Sequence, residues 1–382
     1  MVFLNNAATS YPKPPSVVRA IARALESMPE SSLRSSLSAG DDPIFSLRED
    51  LATLLHVSHP DRIILTSGAT DALNRLIGGL SISHALVTTD NHNSVLRPIE
   101  NLKIIEEIEY LEYLEDLENL QNLESLESLE SLESLENPGL LILPHCSNVT
   151  GAVHDIAAIC SKAHQHGLLV MLDASQSAGC IPIHAEEWGI DIIAFTGHKA
   201  LFGPQGTGGF YIRPGINLRP TMFGGTGRDS SVIKYDEGDW EYEVGTPNMP
   251  GLAGLKAGVE YVLKEGVETI FEQLKADTLW LITQLKGIPK VRLYKHDENH
   301  HGETQGPVVS FNIEGLKPAD VGYILQNVYG ITTRTGLHCA PLIHQQLGTL
   351  PWGTVRVSLS HFNTREDLQT LVSAVQDISK GL

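Results

Sequence analysis

In DIIAFTGHKALFGPQG a lysine, Lys199, follows the end of an apolar run, with Thr196 and His198 just before it. Small and apolar neighbours can hold such an amine out of water, which makes it a candidate nucleophile or imine former. In LLVMLDASQS another apolar run ends in Asp173, and Gln176 follows. A carboxylate at that place is costly to bury unless a cation meets it. A third stretch, LTSGATDALN, reads as a strand, a Ser-Gly-Ala-Thr turn and a helix start. Such a turn offers free backbone N–H groups and a positive dipole end to an anion. Each feature alone has a plainer reading: Ser67 and Thr70 as helix caps, Asp173 as a structural acid, His92 in TTDNHNSVLRP as a surface histidine. Together, an anion cradle, a strand-end acid and a strand-end amine match a cofactor with a phosphate, a ring cation and an aldehyde. Pyridoxal phosphate has all three.

A thiol stands apart from this set. The chain has four cysteines, and Cys339 lies in RTGLHCAPLIH between a histidine and an Ala-Pro pair, with Arg334 and Gly336 before it. It is either a small buried hydrophobe or a reactive thiol, and Arg334 and His338 nearby favour the thiolate. A metal site made of His338, Cys339 and His344 has no C-x-x-C or H-E-x-x-H spacing behind it. Cys160, in an amphipathic pattern, and Cys180, beside a turn, read as packing. Cys146 reads the same way, although it lies two residues before Asn148 and close to the candidate site.

These residues need a scaffold that brings strand ends together. RIILTS (62–67), HALVTT (84–89), LLILP (140–144), LLVMLD (168–173), DIIAFT (191–196) and GFYIR (209–213) read as buried strands. Amphipathic stretches such as ALNRLIGGL and IAAICSKAHQHG lie between several of them. The alternation predicts an α/β fold with a mostly parallel sheet covered on both faces, whose ligands sit beyond the carboxyl ends of the strands. After Pro250 the pattern changes to helices followed by VVSFNIEG and VRVSLSHF, which predicts a smaller α+β lobe closed by a helix.

Composition restricts the remaining classes. The 382 residues are enough for two lobes with cores of their own, and 42% are apolar. The N-terminus has no signal-peptide pattern and no long apolar span occurs, so no membrane association is expected; few cysteines without a framework spacing point to the cytoplasm. The net charge of −19 is concentrated: twelve acids and no Lys or Arg fall between Ile104 and Gly139. That low-complexity tract, about 106–137, repeats leucine every third residue from Leu114 to Leu135, a period that gives no single apolar helix face. It reads as a repeat expansion in a surface helix, with partner docking or self-association as the other readings. A surface of this sign is a poor match for nucleic acid.

At the level of whole motifs the chain resembles the class V aminotransferases of fold type I, and within them cysteine desulfurases of the NifS/SufS kind. The resemblance runs from LNNAATSYPKP to VRVSLSHFNT and rests on TSGATDALN, HNSVLRP, SNVTG, DASQS, TGHK, GTPN and RTGLHCAP in that order. It implies a large cofactor-binding domain over 16–248 and a small domain made of 1–15 with 249–382. It implies that Lys199 makes the imine with pyridoxal 5'-phosphate, Asp173 holds the ring nitrogen, Gln176 meets the ring hydroxyl and His92 stacks on the ring. Ala69, Thr70, Thr196 and His198 would hold the phosphate, and Thr246 the phosphate of a partner subunit's cofactor, hence a homodimer. Asn148, Arg356 and Arg334 would meet the substrate. The implied reaction takes L-cysteine to L-alanine, with Lys199 moving the Cα proton and Cys339 taking the sulfur as a persulfide for a sulfur-acceptor protein. A selenocysteine lyase, a cystine C–S lyase and a non-catalytic partner-binding scaffold are the alternatives. Thr196 stands where many members of the family have serine.

Overall fold

The computed structural model describes residues 1–27, 43–111, 139–226, 231, 233–234, 241–294 and 304–381. The expected surface helix of the leucine repeat falls outside the described residues. A seven-stranded sheet forms the larger part, in the spatial order Ile63–Thr66, Gly208–Ile212, Ile192–Thr196, Leu168–Asp173, Gly139–Pro144, His84–Thr88 and Glu107–Leu111. Only Gly208–Ile212 runs antiparallel to its neighbours; the other pairings are parallel. The six expected strands are present within a residue or so of the reading. The seventh, Glu107–Leu111, was assigned to the acidic tract and is instead an edge strand beside His84–Thr88. Its sequence, EIEYL, exposes its acids and buries only Leu111 fully, as befits an edge with one wet side.

Strand residues alternate between two apolar layers. Val170 and Leu172 face the layer shared with helices Pro43–Leu55 and Ile156–Gln165, while Leu169 and Met171 face that of helices Ala69–Gly79 and Asn93–Asn101. Continuous apolar runs are what a parallel strand buried on both faces requires. The C-terminal part carries a four-stranded antiparallel sheet, Val291–Tyr294, Val308–Ile313, Thr354–Ser358 and Arg334–Gly336. Helices Val267–Lys286 and Arg365–Lys380 cover it, and its Phe311, Val355 and Val357 join the first apolar layer. The N-terminal strand Val2–Phe3 pairs with Ile331–Thr332 as a separate two-stranded sheet, and Asn5 bridges to Ser358 of the four-stranded one.

Close backbone approach fixes one glycine. A Cβ on Gly208 would sit 2.6 Å from the Gly68 Cα and 2.7 Å from the Phe195 carbonyl oxygen, with no flexible side chain to move aside. Gly208→Ala is therefore expected to lower the unfolding free energy by about 2 kcal/mol or more. Chemical denaturation checks this; an unchanged midpoint would show that the strand can shift without cost.

Candidate active site

The carboxyl ends of the central strands open on a cavity of about 450 Å³. Its wall includes Asp173, Thr196, His198 and Lys199 from adjacent strand ends, as the apolar runs predicted. Asp173 is 5% exposed and one of its oxygens, Oδ1, accepts the Ser175 N–H at 2.9 Å. Lys199 follows the strand in a turn, where its carbonyl accepts the Phe202 N–H at 2.9 Å. Burial brings the Lys199 ammonium down to about 8, with Arg356 and Arg334 pushing the same way and the Asp173 carboxylate opposing. At pH 8 about half of such amines are neutral, against about one in 300 for an ordinary lysine.

Opposite the lysine, helix Ala69–Gly79 starts at the cavity wall. Its N-cap is Gly68, at φ 147°, and no side chain caps the first turn. Ser67 and Thr70 are thus not the cap: the Ser67 N–H and hydroxyl both donate to Asp71, which also pairs with Arg75 at 2.6 Å. The first-turn amides of Ala69 and Thr70 are left for an anion at the positive end of the helix. His92, on another wall, caps helix Asn93–Asn101: its Nδ1 accepts the Ser94 N–H at 3.0 Å, which leaves the ring proton on Nε2. Burial and the Lys199 charge push its pKa to about 4, so the ring is neutral. His198 is likewise held neutral, near 4, by burial and by Lys199 and Lys13, and its buried Nδ1 has no partner in the described structure.

The C-terminal sheet supplies cations. Arg356 is 1% exposed and stands directly across from Arg334 on the neighbouring antiparallel strand. Like charges facing each other across strands are destabilising, and no carboxylate pairs with either among the described ion pairs. Arg356 Nη1 donates to the Asn148 carbonyl at 3.0 Å, while its buried Nε has no partner. Burial, then Arg334, lowers its pKa to about 9. An anion between these guanidiniums would relieve the cost. Asn148, expected to meet substrate, commits its amide to the His338 carbonyl at 2.7 Å and its own carbonyl to Arg356.

Arg334 also donates to Cys339 Sγ at 3.2 Å. Cys339 is half-buried, at φ 61°, directly after His338 at φ 48°. Two successive left-handed residues without glycine are strained and persist only when held. The holders are visible: Asn93 N–H donates to the Cys339 carbonyl at 2.7 Å, and Asn148 holds the His338 carbonyl. The expectation that His338 favours a thiolate needs correction. Its ring bonds Thr354 Oγ1 at 2.9 Å, and burial drives its pKa to about 2, so it carries no charge to offer. The charged group in direct contact with the thiol is Arg334.

Gln176 and Ala69 line the same cavity, and Gln176 Nε2 donates to the Ala7 carbonyl at 3.1 Å. Thr246 is exposed and does not line it. The sequence reading gave no role to Ala7 or Ala8, which line the wall, although NNAATSYPKP was one of its motifs. Cys146, taken for packing, also reaches the wall; burial pushes its thiol pKa well up, so it stays protonated. Cys160 and Cys180 are buried among apolar groups, both pushed to about 12.

Residues 2–371 match the family model for the aminotransferase class-V family. A probable cysteine desulfurase of Methanothermobacter thermautotrophicus is 30% identical over 98% of this chain and 94% of its own length. A cysteine desulfurase of Escherichia coli is 35% identical over 250 residues, a match that spans 64% of this chain and 59% of that protein. Among solved structures, a cysteine desulfurase from Thermococcus onnurineus in its apo form superposes with a TM-score of 0.83 at 28% identity, covering 100% of this chain and 95% of that one. The Escherichia coli cysteine desulfurase CsdA gives 0.82 at 26% identity, with coverage of 100% and 95%.

Proposed function

The chain belongs to the aminotransferase class-V family, and from that premise we propose that it is a pyridoxal-phosphate cysteine desulfurase, taking L-cysteine to L-alanine and an enzyme-bound persulfide. The observation that carries the reading is a desolvated amine on the wall of one cavity and, on the same wall, two facing arginines with no acid beside them among the described ion pairs, one of which holds the Cys339 thiol.

The cavity fits the cofactor on three grounds. The uncapped amides of Ala69 and Thr70 suit its phosphate, the buried Asp173 suits its ring cation, and the partly neutral Lys199 suits its aldehyde. When bound, pyridoxal phosphate supplies an electron sink for bond-breaking at the substrate's Cα. Arg356 and Arg334 bind the substrate carboxylate, whose charge their cross-strand placement calls for. Lys199 Nζ accepts the Cα proton, since its lowered pKa keeps part of it as free amine near neutral pH. Cys339 Sγ, in contact with Arg334, bonds to the substrate sulfur as the substrate's C–S bond breaks; the electron pair of that bond stays with the carbon, which takes up a proton on the way to alanine, and Cys339 is left as the persulfide. His92 and His198, both neutral, add no charge to the wall.

The proposal includes a homodimer in which the exposed Thr246 reaches the partner's cofactor, a separate sulfur-acceptor protein, a cytoplasmic location, and the two-domain division at 16–248. Among the described residues no helix is long and apolar enough to cross a membrane. Wild-type protein given L-cysteine and a reductant is expected to release alanine and sulfide in equal amounts. No alanine from L-cysteine, or turnover restricted to selenocysteine or cystine, would replace this reading with a lyase on another substrate.

A further inference from the structure

The turn that carries Lys199 belongs to no helix or strand, so nothing in the sheet ladder fixes its backbone. Local bonds, such as that of the Phe202 N–H to the Lys199 carbonyl, hold it in part, and the chain's first residues add the rest. Ser10 Oγ donates to the Lys199 carbonyl at 2.6 Å, and Lys13 Nζ donates to Ser10 Oγ at 2.8 Å. Lys13 Nζ also reaches the His198 carbonyl at 2.7 Å, where Thr9 Oγ1 and Ser10 N lie at 3.1 Å and Ser10 Oγ at 3.2 Å.

The direction of this chain of bonds is dictated by valence. An ammonium only donates, so Lys13 occupies a lone pair of Ser10 Oγ and leaves its single proton for a carbonyl. The shorter of its two contacts is to Lys199. Both peptide planes flanking the Lys199 Cα are thereby held, one by Lys13 and one by Ser10. A charge-assisted bond is about twice as strong as a neutral one. Lys13 is an unusual choice for a purely structural place: it is half-buried, no acid among the described ion pairs balances it, and burial lowers its pKa to about 8. A neutral donor would spare the desolvation cost.

We propose that Lys13, acting through Ser10 and the His198 carbonyl, is a positioning residue that sets the aim of the Lys199 side chain into the cavity. The inference rests on the reading of Lys199 given above. A small misplacement of a reacting group costs up to about a hundredfold in rate, so a loosened turn shows in turnover before it shows in folding.

The test uses the full chain loaded with pyridoxal phosphate, as wild type, Lys13→Met, Lys13→Arg and Ser10→Ala. Four properties are read: thermal midpoint, visible circular dichroism of the bound cofactor, kcat and KM for L-cysteine, and borohydride-trapped cofactor on Lys199 by mass spectrometry. Lys13→Met is expected to keep its midpoint and its KM, to lose about tenfold in kcat and to weaken the dichroic band. Lys13→Arg should recover the band and most of the rate, and Ser10→Ala should resemble Lys13→Met. A band and a kcat unchanged in Lys13→Met overturn the inference. So does a fall in midpoint, band and rate together in both Lys13 variants, which marks a structural role only. Trapped cofactor in the wild type separates the two readings: with it, an unaffected Lys13→Met sinks this inference alone, and without it the function of Lys199 and the inference fail together.

Discussion

Lys199→Ala should reduce L-cysteine turnover by about 10³-fold or more, because it removes the group that both anchors the cofactor and moves the Cα proton. The cavity itself should survive, since the Lys199 backbone carbonyl, held by Ser10 and Phe202, is retained in alanine. Added pyridoxal phosphate should then bind without being trapped by borohydride on any lysine. In the wild-type apo chain the trapping rate should climb through pH 8, not 10.5. The sign follows from the ammonium being the unreactive form: a lowered pKa shifts the onset of free amine to lower pH. Trapping that rises only above pH 10 would mean that Lys199 is solvated as an ordinary lysine, and the reading of the site would lose its nucleophile.

The second large effect concerns the thiol. Cys339→Ser should keep the cofactor and the fold but lower alanine and sulfide formation together by roughly a hundredfold or more, the scale on which the loss of a covalent nucleophile shows. A serine hydroxyl keeps the shape and a bond to Arg334, yet it does not ionise near neutral pH and does not take up sulfane sulfur. The three remaining cysteines are poor substitutes. Each is buried and shifted toward the protonated thiol, Cys146 included, although it reaches the cavity wall. Mass spectrometry of cysteine-treated wild type should find one added sulfur on the peptide that holds Cys339. If Cys339→Ser turns over at the wild-type rate, the thiol is structural.

How far the sequence could be read depends on where each residue's partners lie. Strands buried on both faces announce themselves as apolar runs, and the acid and amine at their ends were visible because polar residues there break the run. Glu107–Leu111 was hidden by the same logic: an edge strand keeps its acids in water, and EIEYL blends into the acidic tract beside it. Arg356 lies between Val355 and Val357 in a wholly buried strand, a placement that already marks it as unusual. Its pairing with Arg334 was not legible, because register across a sheet is set by tertiary packing. The neutrality of His338 was hidden too, since it depends on burial and on Thr354 sixteen residues away. The least legible contacts were those of Ser10 and Lys13, whose acceptors are backbone carbonyls almost 190 positions further on; a carbonyl carries no residue-type signal.

The N-terminal segment is tied at a second place. Asn6 Nδ2 donates to the Ser358 carbonyl at 3.0 Å, and the Ala7 N–H donates to Ser358 Oγ at 2.8 Å. The segment that steadies the Lys199 turn therefore rests on the strand Thr354–Ser358, about 350 positions further along the chain. A nascent chain that already contains Lys199, Asp173 and the whole seven-stranded sheet still lacks the far end of this tether. Contacts of such sequence separation close late, after the entropy of the intervening loop has been overcome. The tether behind the Lys199 turn is thus expected to close after the sheet that carries the lysine has formed.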